Sequence, residues 1–187
     1  MALSRRKLFI ALAAASLFPM VTACETVTNG NETTHTLDVG KIKRYAQAGL
    51  NAAATITSIL AMNPSFAVFV APVRAAADVL NNSLNSFVAA TGDKVTISYD
   101  DTSFTSLVNT LADDLDKILT IIGGVSVAIL KDNLGLESNL VNKVILAKDA
   151  LATLVSLFKV LIGGFISTAS GPDQSLSERE ALAILKA

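Results

Sequence analysis

The sequence predicts an all-α fold: an up-and-down bundle of about four long helices plus a short C-terminal helix, with at most one or two short β segments. Three observations carry that prediction. Four long stretches repeat their apolar residues at alternating steps of four and three, which places them on one face of a helix. Asn, Pro and Gly punctuate the chain between those stretches. A single segment, Lys94 to Asp100, alternates with the period of a strand.

The first helix is expected from about Asp38 to Met62, with Ile42, Ala46, Gly49, Ala53, Ile56 and Leu60 on its buried face. Small residues at three of those positions let another helix approach closely. Lys41, Lys43 and Arg44 occupy the first turns, where the helix dipole disfavours cations. They read as a solvated helix start, or as contacts for anionic headgroups. Asn63-Pro64 opens the second helix, Asn as cap and Pro at the first helical position. Phe66, Phe69, Val73, Ala76, Leu80, Leu84 and Phe87 continue the spacing, and Gly92 ends it; Pro72 inside the run must kink the helix or delay its start. From Ala46 to Val73 there is no charge, yet Gln47, Asn51, Thr55, Ser58 and Asn63 interrupt the stretch and Pro64 breaks it, so a membrane span is not expected.

In Lys94–Asp100, Val95, Ile97 and Tyr99 alternate. A lone strand needs a partner, and the candidates are Thr33 to Leu37 or the same strand of a second chain. Asp101-Thr102-Ser103 caps a third helix whose stripe is Phe104, Leu107, Val108, Leu111, Leu115, Ile118, Leu119 and Ile122, with Asn109, Asp113 and Lys117 opposite. Gly123-Gly124 is expected to interrupt it, leaving Val125 to Asn133 as a short separate piece. The fourth long helix should span Leu136 to Thr168. Leu140, Val144, Ala147, Leu151, Leu154, Phe158, Leu161 and Phe165 form its stripe, widened by Val141, Ile145, Val155 and Ile162, a width that suits the centre of a bundle. Lys159 interrupts its most apolar run, Leu151 to Ile166, and argues against a span. Ser177-Glu178-Arg179-Glu180 is a capping box opening a last helix to Lys186.

Composition narrows the function. Of 187 residues, 51% are hydrophobic and 17% charged, against roughly 25% charged in an average soluble domain, so apolar surface is ample and general disorder is excluded. The single cysteine allows no internal disulfide. Without residues 1–23, which hold Arg5, Arg6 and Lys7, 12 of the 15 bases remain against 16 acids, a balance that gives no basic footprint for nucleic acid.

The first 24 residues form a unit of another kind. Arg5-Arg6-Lys7 is followed by an apolar stretch, Leu8 to Val21, shorter than the about 20 residues a membrane span needs, and then by the small Thr22 and Ala23. Val21-Thr22-Ala23-Cys24 resembles the lipobox of bacterial lipoproteins, with Val in place of the usual Leu. Ordinary cleavage after a small residue is the alternative, but the only cysteine falls where a lipobox needs it. That resemblance implies diacylated Cys24 as the mature N-terminus and membrane attachment through its lipid. Ser4-Arg5-Arg6-Lys7-Leu8-Phe9 resembles the twin-arginine export motif as well, which implies folding before export. Glu25, where Asp marks inner-membrane retention in Gram-negative lipoproteins, implies the outer membrane facing the periplasm in such a host, and otherwise the outer face of the cell membrane. The expected organisation is a signal peptide over 1–23, a lipidated and flexible tether over 24–37 with Asn29-Gly30-Asn31 at its centre, and a helical domain over 38–187.

Catalytic chemistry is hard to assemble from the rest. His35 is the only histidine and sits in the tether, and neither Gly-Gly pair has the flanking residues of a phosphate loop. No catalytic residue, cofactor or metal is expected. Asp113, Asp114 and Asp116 read as a solvated helix face; Asp93, Asp100 and Asp101 read as turn and capping residues rather than a calcium site. The function these features favour is a non-catalytic, lipid-anchored envelope module that binds a partner or itself, with no nucleic acid. A carrier of an apolar ligand between helices and a membrane-active helical protein are the alternatives.

Overall fold

A computed structural model describes residues 24–29, 32–132, 137–163 and 176–186, and the side chains of 36–129, 137–162 and 176–186. The protein is an all-α bundle with a short C-terminal helix and a small antiparallel sheet at one end. Its helices are α1 (Val39–Leu60), α2 (Ala67–Thr91), α3 (Thr102–Asp132), α4 (Ser138–Gly163) and α5 (Glu178–Leu185). The strands are β1 (Cys24–Asn29), β2 (Glu32–Asp38) and β3 (Thr96–Ser98).

The partner of the period-2 segment comes from the stretch before α1. Thr36, Leu37 and Asp38 pair with Ser98, Ile97 and Thr96, and Leu37 and Ile97 are both buried. On its other side β2 pairs with β1 from Cys24↔Leu37 to Asn29↔Glu32, so backbone read as tether by its polarity runs as paired strand. Its polar residues include many threonines, whose β-branched side chains suit a pleated surface. Asp38 ends β2 and caps α1, its carboxylate accepting from Lys41 N at 2.8 Å.

Every residue named for the inner face of α1 is buried. α1 lies against α2 and α4 and also touches α3 across the bundle, while α5 covers the α1–α4 side. Gly49 makes that diagonal contact close. A Cβ there would overlap Leu115 Cδ2 and stand 3.0 Å from Leu80 Cδ2, and both leucines are fully buried. Gly49→Ala therefore sets about 1 kcal/mol of helix propensity against about 1–3 kcal/mol of overpacking. The expected balance is a loss of about 1 kcal/mol, read as a lower urea midpoint at unchanged slope.

α2 begins as the Asn-Pro signature predicts. Asn63 Oδ1 accepts from Ser65 N at 2.9 Å and Pro64 opens a single 3-10 turn, Pro64–Phe66, before the α-helix proper. Pro72 is accommodated inside α2, near its start. The Gly-Gly expectation for α3 is corrected: Gly123 and Gly124 lie within one continuous helix to Asp132. Two glycines disfavour a helix by about 2 kcal/mol together, but buried Ile122, Val125 and Ile129 hold the turns on both sides against the core. Nothing lies within 4 Å of a Cβ added at either glycine. Gly123→Ala and Gly124→Ala should each stabilise the bundle, by about 0.5–1 kcal/mol in urea unfolding.

α4 starts two residues later than expected, and its predicted end beyond Gly163, with Phe165, lies outside the described residues. Buried Thr91, Ser126 and Thr153 bond through their hydroxyls to the carbonyls of Phe87, Ile122 and Asp149, one turn back, so the core holds these polar groups satisfied. The capping box of α5 is present: Ser177 Oγ accepts from Glu180 N and the Glu180 carboxylate accepts from Ser177 N.

Candidate interaction surface

The residues singled out for the export and lipid signal divide between two categories. Arg5, Arg6, Val21, Thr22 and Ala23 lie outside the described residues. Cys24 is the first residue of β1, registered with Leu37 and, through β2, with Ile97. The point of expected lipid attachment is therefore in the backbone of the sheet at one end of the bundle.

Two of the three aspartates read as a solvated face of α3 link it to its neighbours. Asp114 accepts from Ser83 Oγ of α2 at 2.6 Å, and Asp116 forms a 2.8 Å ion pair with Lys159 of α4. The charge that interrupted the most apolar run thus has its partner on the next helix. Asp113 is exposed, as expected. Asp101 caps α3, its carboxylate accepting from both Ser103 N and Ser103 Oγ, which holds its pKa below the ordinary carboxylate range. Among the described residues no group of three metal-ligating side chains occurs, and no helix is long and apolar enough to cross a membrane.

One polar cluster was not legible in the sequence. Lys41 is not at a solvated helix start: it is buried, 3.2 Å from the Glu178 carboxylate and 5.7 Å from the centroid of the Tyr45 ring. Tyr45 in turn meets Phe158 edge to face at 5.9 Å, with the Glu178 carboxylate near its hydroxyl. At the other end of α5, Asn51 Nδ2 donates to the carbonyls of Leu185 and Lys186. So α1 clamps both ends of α5, while buried Ala181 and Leu185 fill the space between. The signal that could have found this was a lysine in a first helical turn, a position that calls for a nearby acid.

Burial, then the nearby Glu178 carboxylate, which favours the protonated hydroxyl, push Tyr45 well above its ordinary pKa of 10.0; Arg44 pulls weakly the other way. The folded state therefore keeps a proton that the unfolded chain gives up. The stabilisation is complete below about pH 10 and is lost as pH rises toward the folded value. Urea midpoints should fall between pH 9 and pH 11, and should fall less in Tyr45→Phe, which has no hydroxyl to titrate.

The surface that stands out is formed by α1 and α2. From Tyr45 to Gly92 the only charged residues are Arg74 and Asp78. By contrast, α3 and α4 present Asp113, Lys117, Lys143 and Lys148 at their outer or half-buried faces. α2 packs against α1 and α3, leaving its far side open. That side carries Val68, Ala71, Ala75 and Val79, with Val68 69% exposed, and Met62 just before it is 67% exposed. An open groove of about 540 Å³ runs along it, lined by Leu60, Pro64, Val70, Ala71, Arg74 and Asp78 among others, and a second of about 370 Å³ continues between α1 and α2, again past Arg74 and Asp78. No family model matches this chain, and comparisons with curated proteins and with solved structures find no match either. The site must speak for itself. Its lining is mainly apolar, with one charge of each sign.

Proposed function

We propose that this chain is an exported, lipid-anchored protein of the bacterial cell envelope, whose helical body acts as a non-catalytic interaction module. What supports the anchor is the lipobox-like Val21-Thr22-Ala23-Cys24, with the only cysteine in the chain at its end. What supports the module is the open, nearly uncharged α1–α2 face, because contiguous exposed apolar surface on a small domain marks a contact site more often than an idle surface.

Two measurements on protein taken from the membranes of a bacterial host test the two halves. Intact-mass analysis should find an N-terminus at residue 24 carrying acyl chains; an unmodified thiol there removes the anchor. Chemical cross-linking in the same membranes should trap the chain in a discrete complex that Val68→Glu and Val79→Glu abolish. Indifference of the complex to both substitutions would remove the α2 face from the proposal.

The groove volume favours a second reading, carriage of an apolar ligand, since about 300–1,000 Å³ is the usual size of a small-molecule site. Organic extraction of the purified protein followed by mass spectrometry decides it: a stoichiometric apolar molecule supports carriage and its absence rejects it.

A further inference from the structure

We propose that the occupant of the open α2 face is a second copy of this chain, with the two α2 helices packed antiparallel about a two-fold axis near Ala75. The inference rests on the interaction-module reading and names its partner.

Charge is the argument. Arg74 and Asp78 stand one helical turn apart on the exposed side of α2, and no other charge lies between Tyr45 and Gly92. Their spacing would allow them to pair with each other, yet among the described residues neither forms an ion pair. The order Arg before Asp is the weaker one for such a pair, because it opposes the helix dipole. An antiparallel two-fold reverses the direction of the second helix, so with the axis near Ala75 Arg74 of each copy comes within about 3 Å along the helix of direct opposition to Asp78 of the other, a gap the long Arg side chain spans. Two charges without partners become two reciprocal ion pairs, the hallmark of an isologous contact.

The apolar residues follow the same symmetry. With the axis at Ala75, the two alanines face each other, Ala71 meets Val79, and Val68 meets Asn82; all five positions are exposed in the single chain. Alanine opposite valine is the small-against-large pairing that close helix packing needs. Ala71 and Ala75 also line the larger groove, so Val79 of each copy enters the groove of the other. For both anchored N-termini to reach one bilayer, the two-fold axis stands along the membrane normal and the helices lie along the surface.

Charge reversal tests this on the full chain purified from host membranes in mild detergent, with mass measured by light scattering over a range of concentrations. The wild type should be a dimer. R74D puts two acids on each α2 and D78R two bases, so each variant alone should dimerise about tenfold more weakly or worse. Mixed together they should pair again, acids against bases, and the double variant R74D/D78R should dimerise like the wild type. Both residues are exposed, so helicity, and the urea midpoint measured at concentrations low enough for every form to be monomeric, serve as controls for folding and should not move. A wild type monomeric at all concentrations, single variants as dimeric as the wild type, or a mixture that fails to re-pair would each overturn the proposal. If the chain is monomeric but Val79→Glu releases a different envelope protein in the cross-linking experiment, self-pairing falls while the module reading stands. Loss of both the dimer and any cross-linked complex rejects the two together.

Discussion

Phe158→Ala is expected to destabilise the bundle by about 3–5 kcal/mol and to lower its melting temperature by roughly 10 °C. Phe158 is fully buried on α4 and packs against Tyr45 with the two rings nearly perpendicular at 87°. Truncation removes the transfer free energy of the ring and leaves a cavity beside Leu154 and Leu161, themselves buried and part of the same stripe. It also removes the edge-to-face contact, worth about 0.5–1.5 kcal/mol beyond area. Phe158→Leu keeps most of the volume and should lose about 1.5 kcal/mol or less. Urea unfolding followed by far-ultraviolet circular dichroism separates the two. Equal midpoints for the alanine and leucine variants would mean that the cavity contributes little, against the packing described.

The second large effect is asymmetric. Glu178→Ala leaves the Lys41 ammonium, whose side chain is 9% exposed, with its ion-pair partner gone. Breaking a buried pair from one side costs about 3–5 kcal/mol; Glu178 is itself 21% exposed, so water enters and the expected loss is about 2–3 kcal/mol. Lys41→Met is milder, about 1 kcal/mol or less, because it removes the buried cation while keeping the bulk of the stem, and Glu178 retains both water and Tyr45. The double variant Lys41→Met with Glu178→Gln should recover most of the difference. Hydrogen exchange across residues 178–185 supplies the local readout: α5 should open in Glu178→Ala and stay protected in Lys41→Met. The reverse order of the two single variants would show that the acid, not the lysine, is the group in need of its partner.

Much of the architecture is written in local pattern. The stripe from Ile42 to Leu60 is buried throughout, as is the run from Val73 to Phe87, because a four-three repeat of apolar residues can satisfy the hydrophobic effect in only one way. Asn63-Pro64, Asp101 and the Ser177–Glu180 box act within four residues of themselves, so their roles survive any tertiary arrangement. Gly123-Gly124 shows the limit of local reasoning. Propensity alone ends the helix there; contacts of Ile122, Val125 and Ile129 with distant residues carry it through.

The candidate surface was half legible. The absence of charge between Ala46 and Val73 is visible in the residues, and with it an excess of apolar side chains over what a bundle needs. Which of those side chains stay exposed depends on which sides of α2 are taken by α1 and α3. The Lys41–Glu178 pair joins positions 137 residues apart, Asn51 reaches Leu185 across 134, and no periodicity connects such positions. By itself, the sequence determined the helices, their inner faces, their caps and the cysteine at the expected lipid site, all of which depend on neighbours within a few turns. Only the tertiary structure decided which polar groups are partners and which apolar face remains open, because those depend on how whole helices are arranged around one another.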